Sequence, residues 1–272
     1  MATETEAYIS VSGLTLKTPA GYVYRDVTFS AQQRQVVCLF GTEGSGRTSL
    51  MLTLGGRMKP TFGQDIVAGY DTHKQYKKVR DLSNITIVHR VNDVPENLRC
   101  SDILGSELSL VGKSGRKAAV AEYLEQWQFT DYAKTRYRDL ESYERALFGI
   151  MLALCGDPQL LMVDDVQSGL TQHQGIKLVK LLKQLAAERG ITILFNCSEY
   201  EIARFADGIV VLSQRAEEQR QAVIAEGGYS VPVFGRGNGV EVPEMAAAAS
   251  APTFAEPRTA PIDEQPMKGG LR

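Results

Sequence analysis

Four short apolar runs punctuate the middle of the chain: Val36-Val37-Cys38-Leu39-Phe40, Ile85-Thr86-Ile87-Val88, Leu160-Leu161-Met162-Val163 and Ile191-Thr192-Ile193-Leu194-Phe195. Runs of this length without polar alternation are what strands buried on both faces look like, as in a parallel sheet covered by helices. Ile209-Val210-Val211-Leu212 is expected to add a fifth. Between the third run and the fourth, residues 175–189 space Ile176, Val179, Leu182 and Leu185 at helical intervals before Gly190 stops them. Strand, helix, strand in succession predicts an α/β domain with a mostly parallel sheet. Residues 8–37 alternate instead, with Gly13 and Pro19-Ala20-Gly21 as turns, and predict a small antiparallel sheet. Residues 98–140 are helical, rich in serine and charge, and anchored by Leu104, Leu108, Val120, Tyr123, Leu124 and Trp127, so a helical insert is expected there. The pattern fails after residue 240. Residues 241–272 hold five of the ten prolines and almost no large apolar side chains. Such a segment cannot bury enough surface to offset its ordering entropy, and a disordered tail is expected beyond a domain of residues 1–240.

Composition removes several classes of function. The 272 residues are 43% hydrophobic and 23% charged with a formal net charge of -2. There is no cationic excess to hold nucleic acid by counterion release, so no nucleic-acid partner is expected. No stretch approaches the roughly 20 apolar residues of a membrane span, and the acidic N-terminus is unlike a secretory leader. Cys38, Cys100, Cys155 and Cys197 are too scattered for a zinc site or a disulfide framework and read as thiols of a reducing compartment. His73, His89 and His173 lack partners at metal-ligand spacing.

The chemistry begins directly after the first run. Gly41-Thr42-Glu43-Gly44-Ser45-Gly46-Arg47-Thr48-Ser49 precedes the helix-compatible Leu50-Met51-Leu52. Strand, glycine loop and helix form the context in which backbone N–H groups cradle phosphate oxygens and a helix N-terminus adds partial positive charge. The pattern Gly-x-x-x-x-Gly-Lys-Thr is met except that the lysine is Arg47, a larger, planar and permanently charged group. Gly41, Gly44, Ser45, Gly46, Arg47, Thr48 and Ser49 are the candidate phosphate-binding residues, with Thr48 placed to ligate magnesium.

The run 160–163 ends in Asp164 and Asp165. Here the first acid would hold magnesium and the second would polarise an attacking water. Val166-Gln167-Ser168-Gly169-Leu170 follows, Gly156-Asp157-Pro158-Gln159 precedes, and Ala206-Asp207-Gly208-Ile209-Val210-Val211-Leu212 with Val223-Ile224-Ala225-Glu226-Gly227 closes the pattern. Over about residues 8–227 the chain resembles the nucleotide-binding subunits of ATP-binding cassette (ABC) transporters. That resemblance implies a P-loop core with an N-terminal antiparallel subdomain and a helical insert, ATP and magnesium as ligands, and a site on the inner face of the cell membrane. The implied partners are a second nucleotide-binding subunit, either another copy or an intact paralogue, and an integral membrane permease.

Against the family pattern the departures accumulate. The signature that would face the partner's nucleotide reads Leu140-Glu141-Ser142-Tyr143-Glu144, placing a carboxylate where the family has serine and filling two glycine positions. The catalytic glutamate aligns with Asp165, the switch histidine with Cys197, the magnesium-contacting glutamine with Arg90, and a loop-closing aspartate with Thr171. The adenine-stacking aromatic falls near Thr18 and Pro19, with Tyr22 or Tyr24 as substitutes. Together these changes leave the phosphate cradle, Thr48 and Asp164, and alter nearly every group that acts on the γ-phosphate. The expected protein holds a nucleotide and hydrolyses it slowly or not at all. Two alternatives stay open: a slow but active ATPase, since Arg47 and Asp165 keep the charges they replace, and a scaffold using the fold for protein contacts alone.

Overall fold

A computed structural model describes residues 7–88 and 91–212, all within the first of two units, Met1–Gly237. The expected tail from residue 241, the segment 215–227, His89 and Arg90 lie outside the described residues.

The N-terminal alternation folds into an antiparallel sheet. Strands β1 (Ile9–Thr18) and β2 (Gly21–Ala31) meet through a hairpin in which Thr18 pairs with Gly21 across Pro19-Ala20. Gly13 is not a turn. It sits inside β1 at φ 58, where the register with β2 shifts between Val11 and Leu14. The sheet also recruits β4 (Phe62–Val67) and β5 (Tyr70–Asp71), giving the order β2-β1-β4-β5. Those two strands lie beyond the alternating region of the sequence, after β3 (Val36–Phe40) and helix α1 (Arg47–Leu54).

Helix α2 (Tyr76–Leu82) leads into β6 (Ser83–Ile85), then α3 (Cys100–Leu110), α4 (Lys117–Gln126) and α5 (Ser142–Leu154). Strand β7 (Leu160–Val163), helix α6 (Gln172–Arg189), strand β8 (Thr192–Cys197), helix α7 (Tyr200–Ala203) and strand β9 (Gly208–Val211) complete the domain. The apolar runs assemble into an all-parallel sheet of order β6-β7-β8-β3-β9. β6 begins two residues before its predicted run and ends at Ile85. Thr86 leaves the strand and accepts a hydrogen bond from the Asp164 backbone N–H through its hydroxyl.

One core joins the antiparallel sheet and α1 to the near face of the parallel sheet through Leu39, Leu50, Met51, Met162 and Leu194. A second packs α6 and α7 against the far face, with Cys38, Leu178, Leu182, Phe195 and Cys197 fully buried. A third fills the helical insert, which borrows Phe148 and Met151 from α5 and Cys155 just beyond its end to close it. Trp127 is half-buried between the second and third cores, where Arg189 lies 5.6 Å from the centre of its ring. Gly190 adopts the left-handed conformation at φ 68 and ends α6 as expected.

Candidate functional site

In open parallel sheets ligands collect beyond the carboxyl ends of the strands, and here three adjacent strands converge. The phosphate loop leaves the end of β3, Asp164 leaves the end of β7, and β8 lies between them. Gly41 cannot carry a side chain: a Cβ there would stand 2.3 Å from the Leu212 carbonyl oxygen. Gly46 has φ 86, and its Cβ would stand 2.4 Å from the Val23 carbonyl oxygen of β2. Gly44 is also left-handed, at φ 77, and faces open space. Geometry therefore requires the glycines for two different reasons, close approach at 41 and backbone conformation at 44, with both acting at 46.

The loop delivers Arg47 and Thr48 to the first turn of α1. Thr48 Oγ1 donates to Asp164 Oδ1 at 2.9 Å, so the pair expected to share a metal is brought together across 116 residues of sequence. The carboxamide of Asn196, the penultimate residue of β8, donates from Nδ2 to the same Asp164 Oδ1 and reaches Thr48 Oγ1 at 3.5 Å. Burial pushes the Asp164 carboxyl above its ordinary value, against the opposing hydrogen bonds from Thr48 and Asn196 and the nearby charge of Arg47. Asn196 was not anticipated. Its signal in the sequence is a lone amide closing an otherwise apolar strand, Thr192-Ile193-Leu194-Phe195-Asn196-Cys197.

Three polar atoms of this region are buried without a partner: Ser45 Oγ, Arg47 Nη1 and Asn196 Oδ1. Unsatisfied buried groups are costly, and their clustering on the phosphate loop and the strand end beside it fits a polar ligand. The site therefore fits the phosphate chain of ATP: a helix N-terminus, the Arg47 guanidinium and the unpartnered Ser45 hydroxyl. For magnesium the fit is divided. Thr48 Oγ1 and Asp164 Oδ1 are oxygen ligands of the right kind, but the Asn196 amide directs its N–H donors at both.

The other predicted residues divide. Asp165 is exposed and adopts a left-handed conformation at φ 49, next to the Asp164 carboxylate. The Ser49 side chain has no described role, and its carbonyl accepts from Thr53 Oγ1 at 2.9 Å. Cys197 is fully buried in the far-face core, where its Sγ lies 3.3 Å from the Glu199 carbonyl oxygen and beside Cys38. Burial pushes the Cys38 thiol well up. Thr171 caps α6 through a reciprocal pair: its Oγ1 accepts from the Gln174 N–H at 3.3 Å while its own N–H donates to Gln174 Oε1 at 2.9 Å. Of the two tyrosines expected to substitute for the base-stacking aromatic, Tyr24 is buried with its hydroxyl 2.8 Å from Thr53 Oγ1. Tyr22 is exposed, with Lys17 and Arg25 over its ring at 5.2 and 5.0 Å. Glu141 forms the N-cap of α5 and Glu144 lies in its first turn, so two carboxylates stand at a helix end that favours anions. Ser142 packs against the loop after Asp165, close to Gly169. Among the described residues no group of three or more His, Cys, Asp or Glu side chains could hold a metal, and no helix is long and apolar enough to cross a membrane.

Comparison with known proteins agrees with this geometry. Residues 24–168, more than half of the chain, match the family model described as ABC transporter. Methionine import ATP-binding protein MetN 1 of Rhodococcus jostii is 28% identical over 195 residues, covering 70% of this chain and 58% of that protein. An uncharacterized ABC transporter ATP-binding protein of Mycobacterium tuberculosis is 26% identical over 222 residues, covering 80% of this chain and 84% of its own length. The chain spans little more than half the length of the methionine import relatives it matches. Among solved structures, cbiO1 from Clostridium perfringens, part of the complex cbiONQ, aligns with a TM-score of 0.65 at 16% identity over 81% of this chain and 94% of that one. A dimeric ATP-binding cassette bound to ADP and Pi aligns with a TM-score of 0.62 at 20% identity, covering 75% and 94%. At such identities these structures establish the fold, an α/β cassette of the P-loop class with an antiparallel subdomain. With the phosphate loop, the acidic strand end and the matched span in agreement, the chain belongs to the ABC transporter family.

Proposed function

We propose that the chain is an ATP-holding subunit of an ABC-type transport system that hydrolyses nucleotide slowly or not at all and supports or regulates a partner ATPase. The observation that carries the reading is the cluster of unpartnered buried groups, Ser45 Oγ and Arg47 Nη1 above all, on a loop whose glycines are required by geometry. In this reading the amides of Gly44 to Thr48 and the Arg47 fork hold the β- and γ-phosphates, as charge-assisted and bidentate contacts do elsewhere. Thr48 and Asp164 are the pair that would hold magnesium, which when bound offsets charge developing on the phosphates. Weak turnover follows from the acid and switch positions. Asp165 is a methylene shorter than the glutamate it replaces, and the thiol of Cys197 is turned into the core. Glu141 and Glu144 at the start of α5 would repel a partner's triphosphate, which favours pairing with a subunit that is itself competent over pairing with a second copy.

The membrane partner enters by the same reading. The described residues contain no span, and a groove of about 700 Å³ between β6 and the helical insert exposes Val91, Leu98 and Leu110, the last 80% exposed. Apolar exposure of this kind marks a protein contact, and a permease on the inner face of the membrane is the proposed occupant.

The test is equilibrium binding of a fluorescent ATP analogue to the wild-type chain and to Arg47→Ala, with a phosphate-release assay alongside. Saturable binding, weakened about tenfold or more in the variant because a charge-assisted contact is lost, together with no phosphate release above background, is expected. Release that Asp165→Asn abolishes would favour the active enzyme instead. Absence of binding would favour the scaffold.

A further inference from the structure

Strand order makes Asn196 central to the site. β8 is flanked by β7 and β3, so its last side chain on the near face projects between Asp164 and Thr48. Asn196 is 1% exposed. Thr48 has one hydroxyl proton and gives it to Asp164 Oδ1 at 2.9 Å, which leaves its oxygen as an acceptor towards the amide. With two oxygen acceptors beside it, the carboxamide must present Nδ2 to them. The opposite rotamer would set Oδ1 against a carboxylate. In the observed orientation Oδ1 is the buried atom left without a partner.

Thr48 Oγ1, Asp164 Oδ1 and Asn196 Nδ2 thus engage one another without a cation, and only Asn196 Oδ1 is left over. Magnesium demands oxygen lone pairs at about 2.0–2.1 Å in near-octahedral geometry, and on Thr48 Oγ1 and Asp164 Oδ1, the two oxygens that face each other, it would find N–H donors. A permanent positive charge is already present in the loop: Arg47 acts on Asp164 and has a free Nη1. We propose that the Asn196 amide takes the place of the divalent cation, so that this chain binds the nucleoside triphosphate as a metal-free anion, through the loop amides and Arg47. Asn196 is a positioning residue in this scheme, since it acts through Asp164 and Thr48. The inference rests on the nucleotide-holding reading above and departs from it in one respect, the magnesium ion that Thr48 and Asp164 would otherwise hold.

The test compares the affinity of the fluorescent ATP analogue in excess magnesium and in EDTA. Wild type is expected to change by less than about threefold. In Asn196→Ala the lone pairs are released, and magnesium is expected to tighten binding by about tenfold or more, the equilibrium equivalent of one hydrogen bond to a charged group. Asn196→Asp, equal in shape, is expected to show a larger magnesium dependence still, and it guards against a folding defect in the alanine variant. The wild-type comparison needs no variant. Binding by wild type that needs magnesium overturns the inference and leaves the nucleotide-holding reading intact. Variants that remain as indifferent to magnesium as wild type overturn it as well. No binding in any condition overturns both.

Discussion

Asp65→Asn should leave the stability of the fold nearly unchanged in mild acid and raise it at neutral pH. Asp65 lies on β4 opposite Val11 of β1, 1% exposed, and accepts a hydrogen bond from Thr72 Oγ1. Burial lifts its carboxyl from the ordinary 3.8 to about 6, with the nearby Asp71 pushing the same way and Thr72 and His73 pulling against it. A group whose folded value is raised holds its proton more tightly in the native chain. Stability is therefore greatest when the carboxyl is protonated and is lost as pH rises from near 4 through about 6, the unfolded state having released its proton first. The difference between the two values corresponds to about 3 kcal/mol. Asparagine matches the shape and keeps an acceptor for Thr72 but carries no charge to desolvate, so it escapes that loss. Urea unfolding of both proteins at several pH values measures the difference directly, with all other titrating groups common to both. The advantage of the variant should be small near pH 4, grow through pH 5 and level off by about pH 7. A difference that is flat with pH, or one that grows towards acid, would refute the burial argument.

Two further substitutions test local accounts by chemical denaturation. Thr171→Ala should cost about 1 kcal/mol by removing the side-chain half of the α6 capping box, the oxygen that accepts from the Gln174 N–H, whereas Thr171→Asp, which restores an acceptor at the cap, should stay close to wild type. Arg57→Ala should cost about 2–4 kcal/mol, because its fork donates to the Gly55 carbonyl and to both oxygens of Ser83, at 2.7–2.8 Å, and ties the end of α1 to β6. Arg57→Lys should recover only part of that loss, since an ammonium cannot reproduce the planar fork.

What could be read from the amino acids alone follows the range of the interactions involved. The phosphate loop was legible because its chemistry is local: glycines, arginine and threonine lie within nine residues and are framed by a strand and a helix. The apolar runs of β3, β7 and β8 were legible because burial on both faces erases alternation. β4 and β5 were not. Phe62-Gly63-Gln64-Asp65 reads as polar and turn-like, and Asp65 is buried only because β1 pairs with it. The end of β6 was displaced because Thr86-Ile87-Val88 continues the apolar run, while the chain has already left the sheet to let the Thr86 hydroxyl meet Asp164. Asn196 was invisible for a related reason. Its role depends on which strands flank β8, and strand order is not written in any local pattern. Cys197 illustrates the limit of alignment by position: one residue along a strand reverses the face, so the aligned residue enters the core and its neighbour meets the acid.

The strand order also governs when the site comes into existence during synthesis. β3, which carries the phosphate loop, is an interior strand whose two neighbours are the last two strands of the described chain, β8 and β9. Parallel pairing needs long crossovers, and contacts such as Thr48 with Asp164 and with Asn196 close loops of 116 and 148 residues. The antiparallel hairpin of β1 and β2 can pair as soon as it leaves the ribosome, but the loop made next must wait with its strand unpaired until residues 192–211 arrive. Binding competence is thus acquired only after β8 and β9 have been made, and a chain halted before β8 would present a phosphate loop with no strand on either side to hold it.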